Sequence, residues 1–389
     1  MPDLRPCPVC GGAGRRVLHR QRFHEGILGD GYDVVVCRHC GAGFADGIPT
    51  QGELDRYYAE QSKYSYESAG GAESEYDVRR FEMIVDQVVP YLASSAARIL
   101  EIGCATGGLL SVFKRRGFAN LVGADPSPAC AEAARRVHGV EVRVATMAQL
   151  SDWQERFDLV LMIGVLEHLR EVRPAVRTVA ERTKPGGLLY AAVPNAEGLA
   201  DCRNAPFQQF SMEHVNFFSA QSLNRTMAAC SLVPRQTWCW TVEWRENVTE
   251  PIVSGLYEPS SAIDLPMDVT TETALERYIA SSRAGDEKIQ DIIAALVSAA
   301  APLLIWGAGA LTRRLLATTM LAKANIVGFV DSSPHQQGRK LVGKPILAPA
   351  QIVGRNEKIL ICSVAFESEI VRMIRDRLSL PNELITLYS

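Results

Sequence analysis

The sequence has no surplus of positive charge, and this limits the class of partner that it can bind. Its 389 residues include 41 Lys and Arg against 44 Asp and Glu, which gives a net charge of −3. A protein that neutralises nucleic-acid phosphates needs clustered Lys and Arg in excess. We therefore expect no nucleic-acid partner.

Targeting and membrane-spanning segments are also missing from the sequence. The first residues, MPDLRPCPVC, lack the basic stretch and apolar run of a secretory signal. The uncharged run Ile292 to Leu311 contains Pro302, Gly307 and Gly309. We interpret this run as a helix end, a break and a buried strand LLIWG, because a bilayer span needs about 20 uninterrupted apolar residues. These features predict a cytoplasmic protein with no membrane partner.

Disulfide bonds are not expected, although the chain has ten cysteines. Six of them are scattered singly, and a protein that is not exported keeps its thiols reduced. The other four form two C-x-x-C pairs, each followed by glycine, which turn four thiolates towards one cation. We predict a closed structural Zn²⁺ site, with redox-active dithiols as the alternative. Its ligands would be Cys7, Cys10, Cys37 and Cys40.

The middle of the chain alternates between strand and helix patterns, which predicts a parallel sheet covered on both faces. ARILEIGCATGG reads as a buried strand, a glycine-rich turn and the start of a helix, and NLVGADPSP supplies the next strand. Further strands are expected in VEVRVATM, FDLVLMI and GGLLYAAVPN. Ligands of such sheets bind at the carboxyl ends of the strands. The sequence places Glu101, Gly103 and Gly107 there, together with Asp125.

Glu101 separates two classes of ligand. A dinucleotide-binding turn seats a pyrophosphate on G-x-G-x-x-G, and an acid at the strand end is a poor neighbour for that group. An acid suits a ligand with ammonium and sulfonium groups, and Asp125 is placed to accept ribose hydroxyls. The segment from Arg98 to Asn195 resembles the class I S-adenosylmethionine-dependent methyltransferases through LEIGCATG, Asp125 and FDLVLMIGVLEHL. A generic NAD-binding domain is the alternative.

The resemblance implies S-adenosylmethionine as cofactor and assigns residues to its parts. Glu101 and Gly103 would hold the methionine part, Asp125 the ribose, and Thr146 with Met147 would lie beside adenine. Ile163 and Gly164 would border the methyl donor. Glu167 and His168 are expected to be structural or to lie beside the cofactor. The complete implied set is Glu101, Gly103, Cys104, Gly107, Asp125, Pro126, Thr146, Met147, Ile163 and Gly164.

A second, smaller α/β pattern occupies the end of the chain. Ser282 to Ala300 predicts an amphipathic helix, and PLLIWG, NIVGFVD, KILICSVAF and ELITLYS predict strands. The first turn has Gly307 and Gly309 but Thr312 in place of a third glycine, and Asp331 ends the next strand. Because that glycine is replaced, we favour binding of the nucleotide part of a substrate over binding of NAD.

The order of these parts is similar to that of the nucleotide-sugar C-methyltransferases of antibiotic deoxysugar pathways. EHVNFFS and FVDSSPHQQG also resemble that family. The predicted fold is α/β, with a small zinc-binding domain at 1–60, a class I methyltransferase Rossmann-like core with a lid at 61–262, and a second, smaller Rossmann-like domain at 263–389. The resemblance implies methylation of a carbon next to a ketone in a thymidine-diphosphate-linked deoxysugar. The expected partner is therefore a small-molecule substrate.

Methylation of carbon requires a base, because the carbon has no lone pair until a proton has left. His214 resembles the base of that family and Glu213 its neighbouring acid, in the stretch FQQFSMEHVNFFSAQSL. The alternative role for this pair is to cap the helix AQSLNRTM. The sequence departs from the family at Ser211 and Met212, where tyrosine and histidine usually stand.

The tyrosine that stabilises the enolate in the family would then need a replacement, either Ser211 or a tyrosine of the linker from Glu53 to Phe81. That polar linker predicts a solvated helix and loop, or a lid whose phenols reach the active site. Its candidates for a catalytic role are Tyr64 and Tyr66.

Three functions besides C-methylation are compatible with the sequence. The first is O-methylation of a sugar or another small natural product, which needs a base but no enolate stabiliser. The second is an NAD-dependent oxidoreductase built on the last domain, and the third is a non-catalytic scaffold that binds zinc and cofactor. The residues expected to contact substrate are Asn195, Ser211, Asn216, Gly307, Gly309 and Asp331.

Overall fold

The computed structural model describes residues 4–61, 73–261, 263 and 265–387. Its strands are β1 (Arg15–Arg22), β2 (Gly31–Cys37), β3 (Gly43–Asp46), β4 (Ile99–Ile102), β5 (Leu121–Asp125), β6 (Glu141–Val144), β7 (Phe157–Ile163), β8 (Thr183–Pro194), β9 (Asn216–Phe217), β10 (Leu232–Arg245), β11 (Val248–Pro259), β12 (Leu303–Trp306), β13 (Ile326–Val330), β14 (Lys340–Leu341), β15 (Lys344–Leu347), β16 (Lys358–Ile361) and β17 (Leu384–Thr386). The helices are α1 (Gln51–Gln61), α2 (Glu75–Val88), α3 (Gly108–Arg115), α4 (Pro128–His138), α5 (Val172–Arg182), α6 (Ala220–Ala228), α7 (Thr271–Ala299), α8 (Ala310–Thr318) and α9 (Glu367–Arg372).

The amino-terminal sheet has the order β1-β2-β3-β9 and is antiparallel. Its last strand, β9, comes from a distant part of the sequence. It begins at Asn216, shortly after the Glu213–His214 pair. Gly43 pairs with Phe217, and Phe44 pairs with Asn216. The sheet therefore joins Cys37, at the end of β2, and Cys40, in the turn before β3, to the segment that contains the predicted base.

The central sheet has the order β10-β11-β8-β7-β4-β5-β6. The five strands from β8 to β6 are parallel, but β11 runs antiparallel to β8 and β10 antiparallel to β11. The expectation of a wholly parallel sheet is thus wrong at one edge. A tight turn joins β10 to β11, and only antiparallel neighbours can be joined in this way.

Helices cover both faces of the central sheet, as the alternating pattern predicts. Apolar residues of α2 and α3 form one layer, and apolar residues of α5 and α6 form the other. The four residues of β4 are all buried, which is typical of a central parallel strand. The predicted α/β fold with a Rossmann-like core is confirmed.

Local sequence fixes the segment that follows β5. The Ser127 hydroxyl accepts a hydrogen bond from the Cys130 amide, Pro128 begins α4, and Gly139 ends it with φ of +60°. Serine as a cap, proline at the first position and glycine after the end are the usual residues at helix ends. These signals hold the loop after Asp125 in one shape beside the end of the strand.

The third sheet has the order β14-β15-β13-β12-β16-β17 and is parallel apart from β14. Helix α7 begins at Thr271, earlier than predicted, because apolar residues of its amino-terminal half also pack in a core. Leu275 and Tyr278 of this half pack with Phe210 in one core, whereas Ile289 and Ile293 pack on the third sheet. After α7 the chain breaks and β12 follows, as the sequence predicts. Within the described ranges no helix is both long enough and apolar enough to cross a membrane.

Candidate active site

A cleft opens where β4, β5 and β7 end, and we call it the first cleft. Most of the residues that the resemblance assigns to the cofactor lie on its wall. Gly107 does not line it, but the adjacent Gly108 does. The assigned residues on the wall are Glu101, Gly103, Cys104, Asp125, Pro126, Thr146, Met147, Ile163 and Gly164.

The turn after β4 requires glycine at two positions. Gly103 has φ of +70° and Gly107 has φ of +80°, in the left-handed region that side chains disfavour. A Cβ at Gly103 would also lie 2.6 Å from Cγ2 of Val165. The backbone amide of Gly103 donates to the carbonyl of Ala124 over 2.8 Å. The turn is therefore held against β5 with its backbone close to the cleft.

Two buried carboxyl groups lie in the first cleft. Burial, together with the negative charge of Asp125, raises the pKa of Glu101 well above its usual range. In the described chain Oε2 of Glu101 is buried with no hydrogen-bond partner. The Asp125 carboxylate accepts the amides of Ala105 and Ser127, both over 2.9 Å, while burial raises its pKa. An unsatisfied carboxyl oxygen next to an oriented carboxylate fits a ligand that brings an ammonium group and hydroxyl donors.

A second cleft adjoins the first and has residues from three parts of the chain on its wall. Trp240 and Trp244 of β10 line it, as does Ala310 at the start of α8. Ser211, Met212, Glu213 and His214 form another part of the wall. The residues that line both clefts are Arg80, Ile163, Gly164, His168 and Glu213.

The Glu213–His214 pair does not cap a helix. Ser219 caps α6, in a reciprocal arrangement with Ser222. The hydroxyl oxygen of Ser211 accepts the amides of Glu213 (3.2 Å) and His214 (3.1 Å), which fixes a tight turn. The capping interpretation is therefore wrong, and the pair instead lies on the wall of the second cleft.

Gln209 orients the His214 ring. Its Oε1 lies 2.9 Å from Nδ1 of His214, and its Nε2 donates to Oε1 of Glu250 over 3.0 Å. Because the amide nitrogen of Gln209 is used as a donor, its oxygen faces the ring and Nδ1 carries the hydrogen. This tautomer leaves Nε2 as the basic nitrogen of His214. The sequence analysis did not identify Gln209. Nothing in the pair Gln208-Gln209 shows which side chain is exposed and which one orients a histidine ring.

The neighbouring acid has a different partner. Oε1 of Glu213 accepts a hydrogen bond from the Tyr57 hydroxyl over 2.8 Å, and the backbone carbonyl of Glu213 lies 3.0 Å from Nδ1 of His168. The Tyr58 hydroxyl lies 2.9 Å from the same Nδ1. The rings of His168 and His214 are 4.9 Å apart at 68°. The two histidines thus meet at the boundary between the clefts.

Tyr57 and Tyr58 of α1 are the linker tyrosines that the structure places in the site. The sequence singled out the tyrosine-rich linker but selected Tyr64 and Tyr66, which lie outside the described residues. The position at which α1 docks decides which phenols reach the clefts, and this cannot be read from the local pattern.

The four predicted metal ligands come together. Sγ of Cys7 and Sγ of Cys40 are 3.6 Å apart, and those of Cys10 and Cys37 are 3.5 Å apart. Tetrahedral zinc with bonds of about 2.3 Å separates its sulfurs by about 3.8 Å, so the group fits that ion. A second group with ligand atoms within 4.8 Å of one another consists of Glu167, His168 and His214.

The two asparagines predicted to contact substrate lie elsewhere. The Asn195 side chain accepts the amide of Glu197, and neither Asn195 nor Asn216 lines a cleft. The Asn216 amide nitrogen donates to the carbonyls of Leu166 and Leu169, both over 2.7 Å. Asn195 therefore holds its own local turn, whereas Asn216 joins β9 to the distant turn after β7, and the structure does not support substrate contact by either of them.

The predicted turn of the last domain repeats the arrangement around Asp125. The Asp331 carboxylate accepts the amides of Ala308 and Ser333, both over 2.8 Å, and Gly307 has φ of +102°. A Cβ at Gly309 would meet no atom within 4 Å. Gly307, Gly309 and Asp331 do not line either cleft, although Ala310 beside them lines the second.

Comparison with known families assigns the segment that contains the first cleft. Residues 75–234 match the family model described as a methyltransferase domain. The middle of the chain is thus similar to methyltransferase domains. Residues 300–386 match a model described as C2185-like, N-terminal.

The curated relatives match the chain over a short segment. The ubiquinone biosynthesis O-methyltransferases of Rhizobium rhizogenes and Agrobacterium fabrum are 42% and 44% identical to the chain over 103 residues. Each match covers 25% of this chain and 41% of the relative. The chain thus spans about two fifths of the length of the curated relatives it matches.

Solved structures match the chain over about half of its length. The magnesium protoporphyrin IX methyltransferase of Synechocystis with bound S-adenosylmethionine matches with a TM-score of 0.39 and 12% identity, over 53% of this chain and 96% of that one. An N-methyltransferase of Bradyrhizobium japonicum with S-adenosylhomocysteine has a TM-score of 0.39 and 16% identity, over 54% and 97%. Likenesses of this size carry no information about the substrate.

Proposed function

We propose that the chain is an S-adenosylmethionine-dependent methyltransferase that methylates a carbon next to a ketone in a nucleotide-linked deoxysugar. The observation that carries this proposal is the pair of adjoining clefts with His214 on the wall of the second. A methyl donor in the first cleft and an acceptor in the second would meet at Ile163, Gly164 and His168.

The first cleft suits S-adenosylmethionine by its donors and acceptors. The buried oxygen of Glu101 can accept from the ammonium group, and Asp125 can accept from the ribose hydroxyls. Thr146 and Met147 line the part of the cleft next to Ala145, where adenine would lie. When bound, the cofactor supplies an electrophilic methyl group on sulfonium.

His214 has the geometry of a general base. Gln209 fixes its ring, so that Nε2 can take the proton from the carbon next to the ketone. The electron pair of that C–H bond would become the enolate, whose carbon would take up the methyl group that the cofactor supplies. The released proton would stay on His214.

Tyr58 is the best placed donor for the enolate oxygen, because Nδ1 of His168 faces the backbone carbonyl of Glu213 and so uses the one ring hydrogen of a neutral imidazole. Ser211, the other candidate, already uses its hydroxyl oxygen to accept two backbone amides. The Tyr58 hydroxyl is hydrogen-bonded to His168 at the boundary between the clefts. A donor at this point would stabilise negative charge that develops on the ketone oxygen.

O-methylation remains the second candidate. The observation that favours it is the name of the curated relatives, which are O-methyltransferases over the shared 103 residues. His214 would take the proton from an oxygen acceptor in the same way, but no C–H bond of the substrate would have to break.

Solvent exchange distinguishes the two candidates. A panel of keto nucleotide sugars is incubated with the protein in deuterium oxide without the methyl donor. We expect deuterium next to the ketone, and we expect the rate of exchange to fall by about 100-fold or more in His214→Asn. His24→Asn is the matched control, because His24 is 43% exposed in the amino-terminal part. A sugar that is methylated without any exchange would indicate an oxygen acceptor.

We also propose that the four-cysteine group holds one structural Zn²⁺. Four thiolates complete a tetrahedral site and leave no position for water, so the ion would stabilise this part of the chain without taking part in the reaction. Amides of Gly12 and His39 donate to Sγ of Cys10 and Cys37, which supports the ionised thiols.

A further inference from the structure

The side-chain amide of Gln209 determines whether His214 can act as a base. Its Oε1 faces Nδ1 of His214 over 2.9 Å, so the ring hydrogen lies on Nδ1 and Nε2 is basic. If the amide turned over, its nitrogen would donate to Nδ1, and the hydrogen of a neutral ring would lie on Nε2. The two orientations of the amide have the same shape, so another group has to select one of them.

Glu250 of β11 makes that selection. Oε1 of its carboxylate accepts a hydrogen bond from Nε2 of Gln209 over 3.0 Å. A carboxylate accepts hydrogen bonds and donates none, so Glu250 attracts the amide nitrogen and repels the amide oxygen. The negative charge of Glu250 therefore acts on His214 across one neutral amide. We call Glu250, Gln209 and His214 the amide relay.

Both residues behind His214 have little freedom to adjust. The backbone amide of Gln209 donates to the hydroxyl of Tyr278, a buried residue of α7, over 3.0 Å. Gln209 is 6% exposed, which leaves its side chain little contact with solvent. Glu250 lies within the paired strands β10 and β11. Elements outside the turn that carries His214 therefore hold the other two members of the amide relay.

Building on the proposed function, we propose that Glu250 is a positioning residue that keeps His214 in its basic tautomer through Gln209. The carboxylate fixes the amide, and the amide oxygen fixes the ring hydrogen on Nδ1. When Nε2 takes a proton the ring becomes a cation, and the polarised amide with the carboxylate behind it stabilises that charge. No proton passes along the amide relay, because the amide neither gains nor loses one.

Direct contact with the acceptor is the competing role for Glu250. Gln209 and Glu250 both line the second cleft, where the acceptor would bind. Such a contact would change the KM of the acceptor, whereas the amide relay acts on His214 before any ligand is present. The tautomer of His214 in the ligand-free protein therefore separates the two roles.

NMR spectra that correlate ring nitrogens with ring hydrogens report that tautomer directly. They are recorded at about pH 8, where most histidines are neutral, on the unchanged chain, Glu250→Gln and Glu258→Gln, and His214→Asn assigns the signal. Glu258 is the matched control, because it belongs to the same strand and its side chain is 46% exposed. We expect hydrogen on Nδ1 in the unchanged chain and in the control. In Glu250→Gln a substantial share should lie on Nε2, because the new amide can face Gln209 in either orientation.

Deuterium exchange into a keto nucleotide sugar should follow the tautomer. We expect its rate to fall by about 10-fold in Glu250→Gln, with the KM of the sugar within about threefold. The double variant Gln209→Glu/Glu250→Gln restores a compatible order of donors and acceptors, with a carboxylate facing Nδ1 and an amide nitrogen donating to that carboxylate. It should regain hydrogen on Nδ1 and an exchange rate within about threefold of the unchanged chain. Gln209→Glu alone places two carboxylates together and should remain impaired.

The proposal is wrong if Glu250→Gln keeps the ring hydrogen on Nδ1, or if only the KM of the sugar changes in that variant. It is also wrong if the double variant is no better than Glu250→Gln. Should Glu250→Gln fail to fold, the tautomer and exchange rate of the double variant decide. If the unchanged chain exchanges no hydrogen of any keto sugar, the proposed function fails, and the spectra still test the amide relay.

Discussion

At the scale of single residues, Glu101 has been placed where its charged form is disfavoured. It is buried, it lies near Asp125, and Oε2 has no hydrogen-bond partner among the described residues. Burial and the negative charge of Asp125 raise the pKa of Glu101, so its carboxyl group keeps its proton to a higher pH than an exposed glutamate does. A cationic ligand reverses this preference, because an ammonium beside the carboxyl group stabilises the ionised form.

Binding of S-adenosylhomocysteine should therefore release a proton from Glu101. The affinity should rise with pH by up to about tenfold per unit, until the pH passes the pKa that Glu101 has in the free protein. Calorimetry in buffers of different ionisation enthalpy measures the released proton. Glu101→Gln should remove the release and weaken binding. Glu132→Gln, on the exposed side of α4, is the control and should keep the proton release and the affinity. Equal proton release in the two variants would show that the proton does not come from Glu101.

At the scale of elements, the two cysteine turns share one geometry but differ in their surroundings. Gly11 has φ of +76° and its amide donates to the carbonyl of Cys7, while Gly41 has φ of +81° and donates to Cys37. A Cβ at Gly41 would lie 1.9 Å from the backbone oxygen of Asp268, whereas one at Gly11 would meet no atom closer than 3.8 Å. Of the two turns, therefore, only the one at Gly41 packs tightly against another segment, at Asp268.

Alanine substitutions should separate conformational strain from this close contact. Gly11→Ala should lower the free energy of unfolding by about 1–2 kcal/mol, the cost of a side chain in the left-handed region. Gly41→Ala should cost at least about 3 kcal/mol, since Asp268 also holds the start of α7 and the Ser219 cap and cannot move freely. Urea unfolding with zinc present measures both values. Equal costs would show that the contact with Asp268 is relieved without strain.

At the scale of the whole molecule, the part that carries the cysteines also holds the candidate base in place. Arg5 donates to the carbonyl of Val215 over 2.6 Å, and the amide of Ala45 donates to the same carbonyl over 2.9 Å. Strand β3 pairs with β9, and Tyr57 of α1 contacts Glu213. The Glu213–His214 turn therefore depends on an ordered amino-terminal part.

Loss of the metal should impair turnover more than cofactor binding. Cys10→Ala opens the predicted zinc site, and we expect kcat to fall by about 10- to 100-fold, because small displacements of catalytic groups are costly. The Kd for S-adenosylhomocysteine should stay within about threefold, since most of the first cleft belongs to the central sheet. Cys239→Ala, at an exposed cysteine, is the control. Metal analysis should find one zinc per chain in the control. If Cys10→Ala lowered both kcat and the affinity for S-adenosylhomocysteine, the prediction that zinc loss impairs turnover more than cofactor binding would be wrong.

The sequence alone predicted the features that depend on short, local patterns. Strand and helix periodicity predicted the α/β fold, and the glycines after the strand end predicted the turn after β4. Two C-x-x-C pairs predicted that four cysteines meet. These predictions succeed because glycine conformation, thiolate chemistry and the burial of one face act within a few neighbouring residues.

Tertiary structure decided which side chains from distant segments meet. It placed Tyr57 and Tyr58 beside Glu213 and His168, made Gln209 the partner of His214, and turned Asn216 towards the carbonyls of Leu166 and Leu169. It also added an antiparallel hairpin at one edge of the central sheet. Such contacts depend on the docking of α1, on the strand exchange through β9 and on the packing of β10, and residues far apart in the chain contribute to each. A local sequence pattern therefore does not predict these long-range contacts.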